Sequence, residues 1–183
     1  MGTSAQPREI EGGARAALLA ELRSLEDRAR RARAELVALG VDALPGLHLV
    51  LEVAGQRALL SAQRVAEVVQ LVGLGPLPGA RAEVAGDFLW RGTPVVVVDL
   101  AAVLGRPRLP ALDARIVVLA SSPPVGLLVD AVERLVDTPR VFRGEAPAGA
   151  EAFGGALSAG LCVDGGDVLP LLEPGPLAAG VAP

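Results

Sequence analysis

The sequence predicts a mainly β protein preceded by one long α-helix. From residue 47 onward the chain is a series of short apolar runs separated by Gly, Pro and Asp at irregular intervals, the pattern left by alternating strands and turns. Only very short helices fit between those runs, so the sheets should be antiparallel and closed into barrels rather than wrapped by crossover helices. Ahead of them, leucine and alanine recur at spacings that alternate between four and three, a heptad stripe.

Taken in order, residues 1–13 carry no pattern and are expected to be a disordered N-terminus. The stripe that follows is Leu18, Leu22, Leu25, Ala29, Ala32, Leu36 and Leu39, with Glu21, Arg23, Glu26, Asp27, Arg28, Arg30, Arg31, Arg33 and Glu35 between its members. Such a segment, rich in Ala, Leu, Glu and Arg, favours helix intrinsically. Gly40, just past the last leucine, suits a C-terminal stop. A helix is therefore predicted over 14–40, with its stripe buried against a second copy, its own barrel or a partner helix. Residues 41–46, containing Pro45-Gly46, read as a linker.

The expected strands are Leu47–Val53, Arg57–Leu60, Val68–Val72, Phe88–Arg91, Pro94–Asp99, Arg115–Ala120, Val125–Val129, Arg134–Asp137, Leu161–Val163 and Val168–Leu172. The first two, joined through Ala54-Gly55-Gln56, and the fourth and fifth, joined through Arg91-Gly92-Thr93, read as hairpins. Short helices are expected at Ser61–Glu67, with Ser61 as its N-cap, and at Leu100–Leu104. Pro139–Gly155 reads as a long loop and residues 178–183 as a tail. Val96, Val97, Leu127 and Val129 are expected in the apolar core or a seam.

Composition narrows the function. A length of 183 residues fits one domain with an appendage or two small joined ones. With 51% hydrophobic against 21% charged residues, the chain has material for a core. A formal charge of −4 argues against nucleic acid as a partner, because phosphate neutralisation needs a basic face. The densest apolar runs, Pro94–Val98 and Ile116–Ala120, are far shorter than the roughly 20 residues that cross a bilayer. The first residues lack the apolar core of a signal peptide. A cytoplasmic protein without membrane insertion is the expectation.

Candidate chemistry is sparse. One Cys and one His cannot build a disulfide, a thiolate cage or a multi-histidine zinc site, and no cofactor is expected. The Gly73–Gly79 segment contains Pro76 and Pro78, which remove two N–H donors a phosphate loop would need, so it reads as a rigid turn. Ser61, Ser121 and Ser122 lie outside any nucleophile-elbow context. Glu67 with Asp99, or Asp164 with Asp167, could be paired carboxylates, but acidic turn residues are commonplace. His48, opening a strand, reads as a surface or edge group, and Cys162 as a small buried hydrophobe. A non-enzyme is expected.

One connected pattern stands out. It runs Val65-Ala66-Glu67-Val68, then Ala85-Gly86-Asp87-Phe88-Leu89-Trp90-Arg91-Gly92-Thr93-Pro94-Val95-Val96-Val97-Val98-Asp99-Leu100, then Val125-Gly126-Leu127-Leu128-Val129-Asp130-Ala131-Val132. In order, spacing and residue type it resembles the CheW family of chemotaxis coupling proteins, over roughly Leu47 to Leu177. Gly92 suits a positive φ at a hairpin connection. Pro94 suits a strand opening, where its missing N–H breaks no central ladder. Asp99 suits the N-cap of the next helix. Gly126 and Asp130 should bound a second buried strand, and Gly86 belongs to the same motif.

The resemblance implies two intertwined five-stranded SH3-like barrels with exchanged strands. It implies a non-catalytic adaptor that binds a methyl-accepting chemoreceptor and a CheA-type histidine kinase. It also implies an ion pair of Glu67, at a helix end, with Arg91 beside the partner surface; Arg91 as a plain solvated turn charge is the alternative. Trp90 is an anchor if exposed and core if buried. Leu89 and Trp90 stand where the family has Asn-Leu, and Asp87 where an aliphatic residue is common, which bears on partner identity. Alternatives are a CheW-like scaffold of a related motility or non-chemotaxis pathway, and a structural protein oligomerised through its N-terminal helix.

Overall fold

A computed structural model describes residues 15, 17–28, 31, 42–143, 153 and 157–177. The chain divides into two compact units, Met1–Val41 and Asp42–Pro183. In the first, residues 15, 17–28 and 31 are helical, and the continuous stretch 17–28 is designated α1. Leu18, Leu22 and Leu25 of the stripe are exposed in the single chain. The remaining stripe members Ala29, Ala32, Leu36 and Leu39, the rest of 14–40, the N-terminus 1–13 and the tail 178–183 lie outside the described residues.

The second unit is mainly β. Its strands are β1 (Leu47–Val53), β2 (Gln56–Ser61), β3 (Val65–Gln70), β4 (Val84–Trp90), β5 (Thr93–Asp99), β6 (Arg115–Leu119), β7 (Val125–Val129), β8 (Ala131–Asp137), β9 (Arg140–Val141), β10 (Ser158–Asp164) and β11 (Asp167–Leu172). They form a six-stranded sheet, β8-β1-β2-β11-β10-β9, and a five-stranded sheet, β3-β6-β7-β5-β4. The sheets are thus six and five strands rather than five each, because the two-residue β9 pairs with β10 inside the segment expected to be loop. Strands β3–β7 form one sheet as a block inserted between the two halves of the other. Nor are the sheets purely antiparallel: β5 pairs with β7, and β11 with β2, in parallel.

Both hairpins form, with connections one residue shorter than expected. Val53 pairs with Gln56 and Trp90 with Thr93, leaving the two-residue loops Ala54-Gly55 and Arg91-Gly92. All four residues have positive φ, at 49°, 74°, 50° and 82°. That is the turn whose twist matches paired strands. The segment expected as the helix Ser61–Glu67 is a single 3₁₀ turn, Ala62–Arg64, and Ser61 caps nothing. Val65, Val68 and Val69 are β-branched and pair with β6, so Glu67 sits mid-strand rather than at a helix end. The other short helix is α2 (Leu100–Val103), and Asp99 caps it as expected, accepting from the Ala101 N–H at 2.9 Å.

The main core is common to both sheets. Leu49, Leu51, Val53 and Leu60 of one pack with Val98, Val117, Leu127 and Val129 of the other. Val97 is also fully buried, in a second cluster with Ile116, Val118 and Leu128, whereas Val96 is only half-buried. Gly126 lies inside β7 rather than at its boundary. A Cβ there would come within 2.8 Å of Ile116 Cγ2 and 3.2 Å of Val97 Cγ2, so its role is close packing of a strand buried along its whole length. Gly86, at φ 142°, leaves room for the Gly75 carbonyl, 2.4 Å from where a Cβ would stand. Gly75 exchanges both backbone hydrogen bonds with Asp87, which pins the glycine- and proline-rich segment along β4.

His48 is the clearest correction. It is 2% exposed, because β1 lies between β2 and β8 and its side chain points inward opposite Ser61 and Val136. Its Nδ1 is 3.0 Å from the Gly46 carbonyl oxygen, and burial pushes its pKa below the ordinary 6.5. Cys162 is buried as expected, and burial raises its thiol pKa. Residues 42–46 are hydrogen-bonded to the sheet: Leu44 N–H donates to Pro139, and Ala43 bridges to Arg140.

Candidate functional site

The five-stranded sheet has β3 and β4 as its edges, yet side chains from these edges meet. Glu67 reaches from β3 and accepts the indole N–H of Trp90, the last residue of β4, at 2.7 Å. The same carboxylate oxygen lies 2.9 Å from the Arg91 guanidinium on the hairpin turn. The guanidinium stands 5.1 Å from the Trp90 ring centroid, within cation–π range. The three residues therefore form one triangle that ties the two edges together, and the expected Glu67–Arg91 pair is present.

Trp90 falls between the two readings that the sequence left open. It is half-buried, with one side against the cluster around Val97, Ile116 and Leu128 and its polar atom satisfied by Glu67. Arg91 remains 71% exposed and Glu67 36%. Leu89, which precedes Trp90 on β4 and so points to the other face of the sheet, is 73% exposed. The triangle presents solvent with a cation and a partly covered carboxylate.

A second charged cluster was invisible in the sequence. Arg108, in the loop after α2, pairs with Asp130 and lies 3.7 Å from Asp99. Asp130 also accepts the Ala54 N–H at 2.5 Å, and Arg106 donates to the Ala54 carbonyl at 3.3 Å. Asp130 stands where the chain passes from β7 in one sheet to β8 in the other, so this cluster clamps the β1–β2 turn, the β5–α2 junction and the loop together. Arg108 Nε and Nη1 are buried without hydrogen bonds. No local pattern in Arg106-Pro107-Arg108 marks this role. The same loop carries Leu109 and Leu112, both almost fully exposed.

Among the described residues no group of three or more His, Cys, Asp or Glu is placed to hold a metal. No described helix is long and apolar enough to cross a membrane. The suggested carboxylate pairs are otherwise engaged: Glu67 with Trp90 and Arg91, Asp99 at its cap, Asp164 with Arg134 and Asp167 with Arg57.

What these elements define is a small, mainly β domain of two sheets around a common core. The family model for the CheW-like domain matches residues 47–180, most of the chain, and the protein belongs to that family. Among solved structures, the scaffolding protein TtCheW from Thermoanaerobacter tengcongensis is similar at a TM-score of 0.60 and 23% identity, over 71% of this chain and 85% of that one. That likeness establishes the fold. No curated protein sequence matches the chain.

Proposed function

We propose that this protein is a non-catalytic, cytoplasmic adaptor of chemotaxis-type signalling that joins a methyl-accepting chemoreceptor to a CheA-type histidine kinase. The CheW-like match over residues 47–180 carries the reading, and the description of TtCheW as a scaffolding protein agrees with it. On this reading the two sheets are the paired SH3-like barrels of the family. The partner face is built on Arg91, Glu67 and Trp90. Trp90 acts as the brace and Arg91 as the charged contact, since the indole is tied down while the guanidinium is open to solvent.

Interfaces draw most of their free energy from a few such residues, Trp and Arg prominent among them. The test is co-purification with a receptor cytoplasmic tip and with the regulatory domain of a CheA-type kinase. Both should be retained by the wild-type chain, and Arg91→Glu should weaken retention of at least one by roughly thirtyfold, the scale of a hot-spot residue. Failure of the wild-type chain to retain either partner would remove the coupling reading. Undiminished retention by Arg91→Glu would move the partner face elsewhere.

A further inference from the structure

We infer that residues 42–46 form a releasable strap, which opens as a unit while the domain stays folded and whose opening stops at Gly46, held by His48. The starting observation is backbone pairing that continues beyond the first residue of β1. Leu44 N–H donates to the Pro139 carbonyl at 2.7 Å, Val141 N–H donates to the Asp42 carbonyl at 2.5 Å, and Ala43 bridges to Arg140. The strap thereby covers one side of β9, whose other side pairs with β10. It lies ahead of the CheW-like residues 47–180, and the inference is independent of the coupling reading.

Little holds the strap in place. Beyond its two cross-strand bonds it has one apolar anchor, Leu44, half-buried against the cluster of Val50, Leu59, Val136, Cys162 and Leu169. Its ion pair, Asp42 with Arg143 at 2.8 Å, has side chains 45% and 73% exposed, so water screens it. Ordering a segment costs conformational entropy at every residue, and two neutral hydrogen bonds with one half-covered side chain return little more than that cost. Segments of this kind open at a small fraction of the free energy of global unfolding.

The stop is built differently. Between the pairs Ala43–Arg140 and Leu47–Asp137 lie residues 44–46 on one side and only 138–139 on the other, a bulge that bends the ribbon. Gly46 and Thr138 both take left-handed backbone there, at φ 108° and 53°. The Gly46 carbonyl accepts the Thr138 N–H at 2.9 Å and lies 3.0 Å from His48 Nδ1. A carbonyl only accepts, so the ring carries its proton on Nδ1 and donates. That ring is 2% exposed and can leave only if β1 parts from β2 and β8, which pair with it on both sides. Opening therefore ends at Gly46 and leaves both sheets intact. It bares the outer backbone of β9, an edge that another strand can pair with, and adds residues 42–45 to the segment ahead of the domain. Anything that binds the open strap or the bared edge shifts the equilibrium toward release.

The experiment is amide hydrogen exchange on the full chain, read residue by residue. Leu44 and Val141 should exchange together, at least about a hundredfold faster than Leu127 of the buried strand β7, while Thr138 keeps pace with Leu127. Leu44→Gly removes the anchor and should speed Val141 about tenfold or more without moving Thr138 or Leu127. His48→Phe keeps a buried ring but not the donor, and should carry Thr138 over to the fast group. The ratio of Thr138 to Leu127 exchange cancels any general loss of stability in that variant. Leu44 and Val141 exchanging only with Leu127, Thr138 already fast in the wild-type chain, or a ratio unchanged by His48→Phe would overturn the inference.

Discussion

Two charged clusters on the same domain use similar residues to different ends. The Glu67–Trp90–Arg91 triangle joins the edges of one sheet, and its cation is 71% exposed. The Arg108–Asp130–Asp99 clamp ties the passage between sheets to the hairpin of the other, and its cation is 23% exposed. Water screens the first and weakens what its ion pair adds to folding. The clamp is half withdrawn from water, so its charges depend on one another, and removing one leaves the others inadequately compensated. On the proposed reading, exposure rather than charge type separates a surface that meets a partner from one that holds the fold.

The largest stability loss is expected from Arg108→Ala. It leaves Asp130 with only the Ala54 N–H, and should cost about 1–3 kcal/mol after allowance for partial exposure. Combining it with Asp130→Asn should recover part of that loss, as thermal or urea unfolding will show. Retention of receptor or kinase per folded molecule should stay unchanged. A clamp variant that unfolds no more easily than wild type would erase the contrast.

His48 sharpens the comparison at a group buried almost completely. Burial holds its folded-state pKa below the ordinary 6.5, so the unfolded chain binds the proton more readily. Stability tied to this residue is therefore present above pH 6.5 and is lost as pH falls from there toward the folded-state pKa. One such group can contribute a slope of at most about 1.4 kcal/mol per pH unit. As the chain holds one His, His48→Gln should flatten stability against pH in that window. An unchanged slope would assign it to the carboxylates.

Smaller effects are expected at the triangle. Trp90→Phe keeps the ring but removes the N–H that Glu67 accepts, and should cost about 0.5–1.5 kcal/mol. Arg91→Glu should change stability by only about 0–1 kcal/mol, visible as a nearly constant melting temperature, while partner retention falls. Reversing both charges, with Glu67→Arg added, should restore part of the binding. A large melting shift in Arg91→Glu would show that the triangle is structural, like the clamp.

Much of the strand pattern could be read directly. Leu47–Val53 and Val125–Val129 have the expected bounds because apolar runs closed by Gly, Pro or Asp leave little choice. Asp99 as a cap and Gly92 in a left-handed turn followed from local stereochemistry. Glu67 and Arg91 were singled out by a motif resemblance, and their contact follows it, although Glu67 reaches Arg91 from a strand rather than a helix. The segment after Ser61 misled because its polar start looks like a helix cap, and pairing with β6 overrode that local preference.

By itself the sequence determined what depends on neighbours along the chain: the strand runs, the two hairpins, the α2 cap and the heptad order of charges ahead of them. Only the tertiary structure decided what depends on distant residues. It put His48 inside because β8, more than 80 positions later, covers that strand. It brought Trp90 to Glu67 by bending two sheet edges toward each other, and gave Arg108 its partners across three connections. Burial and ion pairing are set by which segments come together in space, whereas turns and caps are set by a few consecutive dihedral angles.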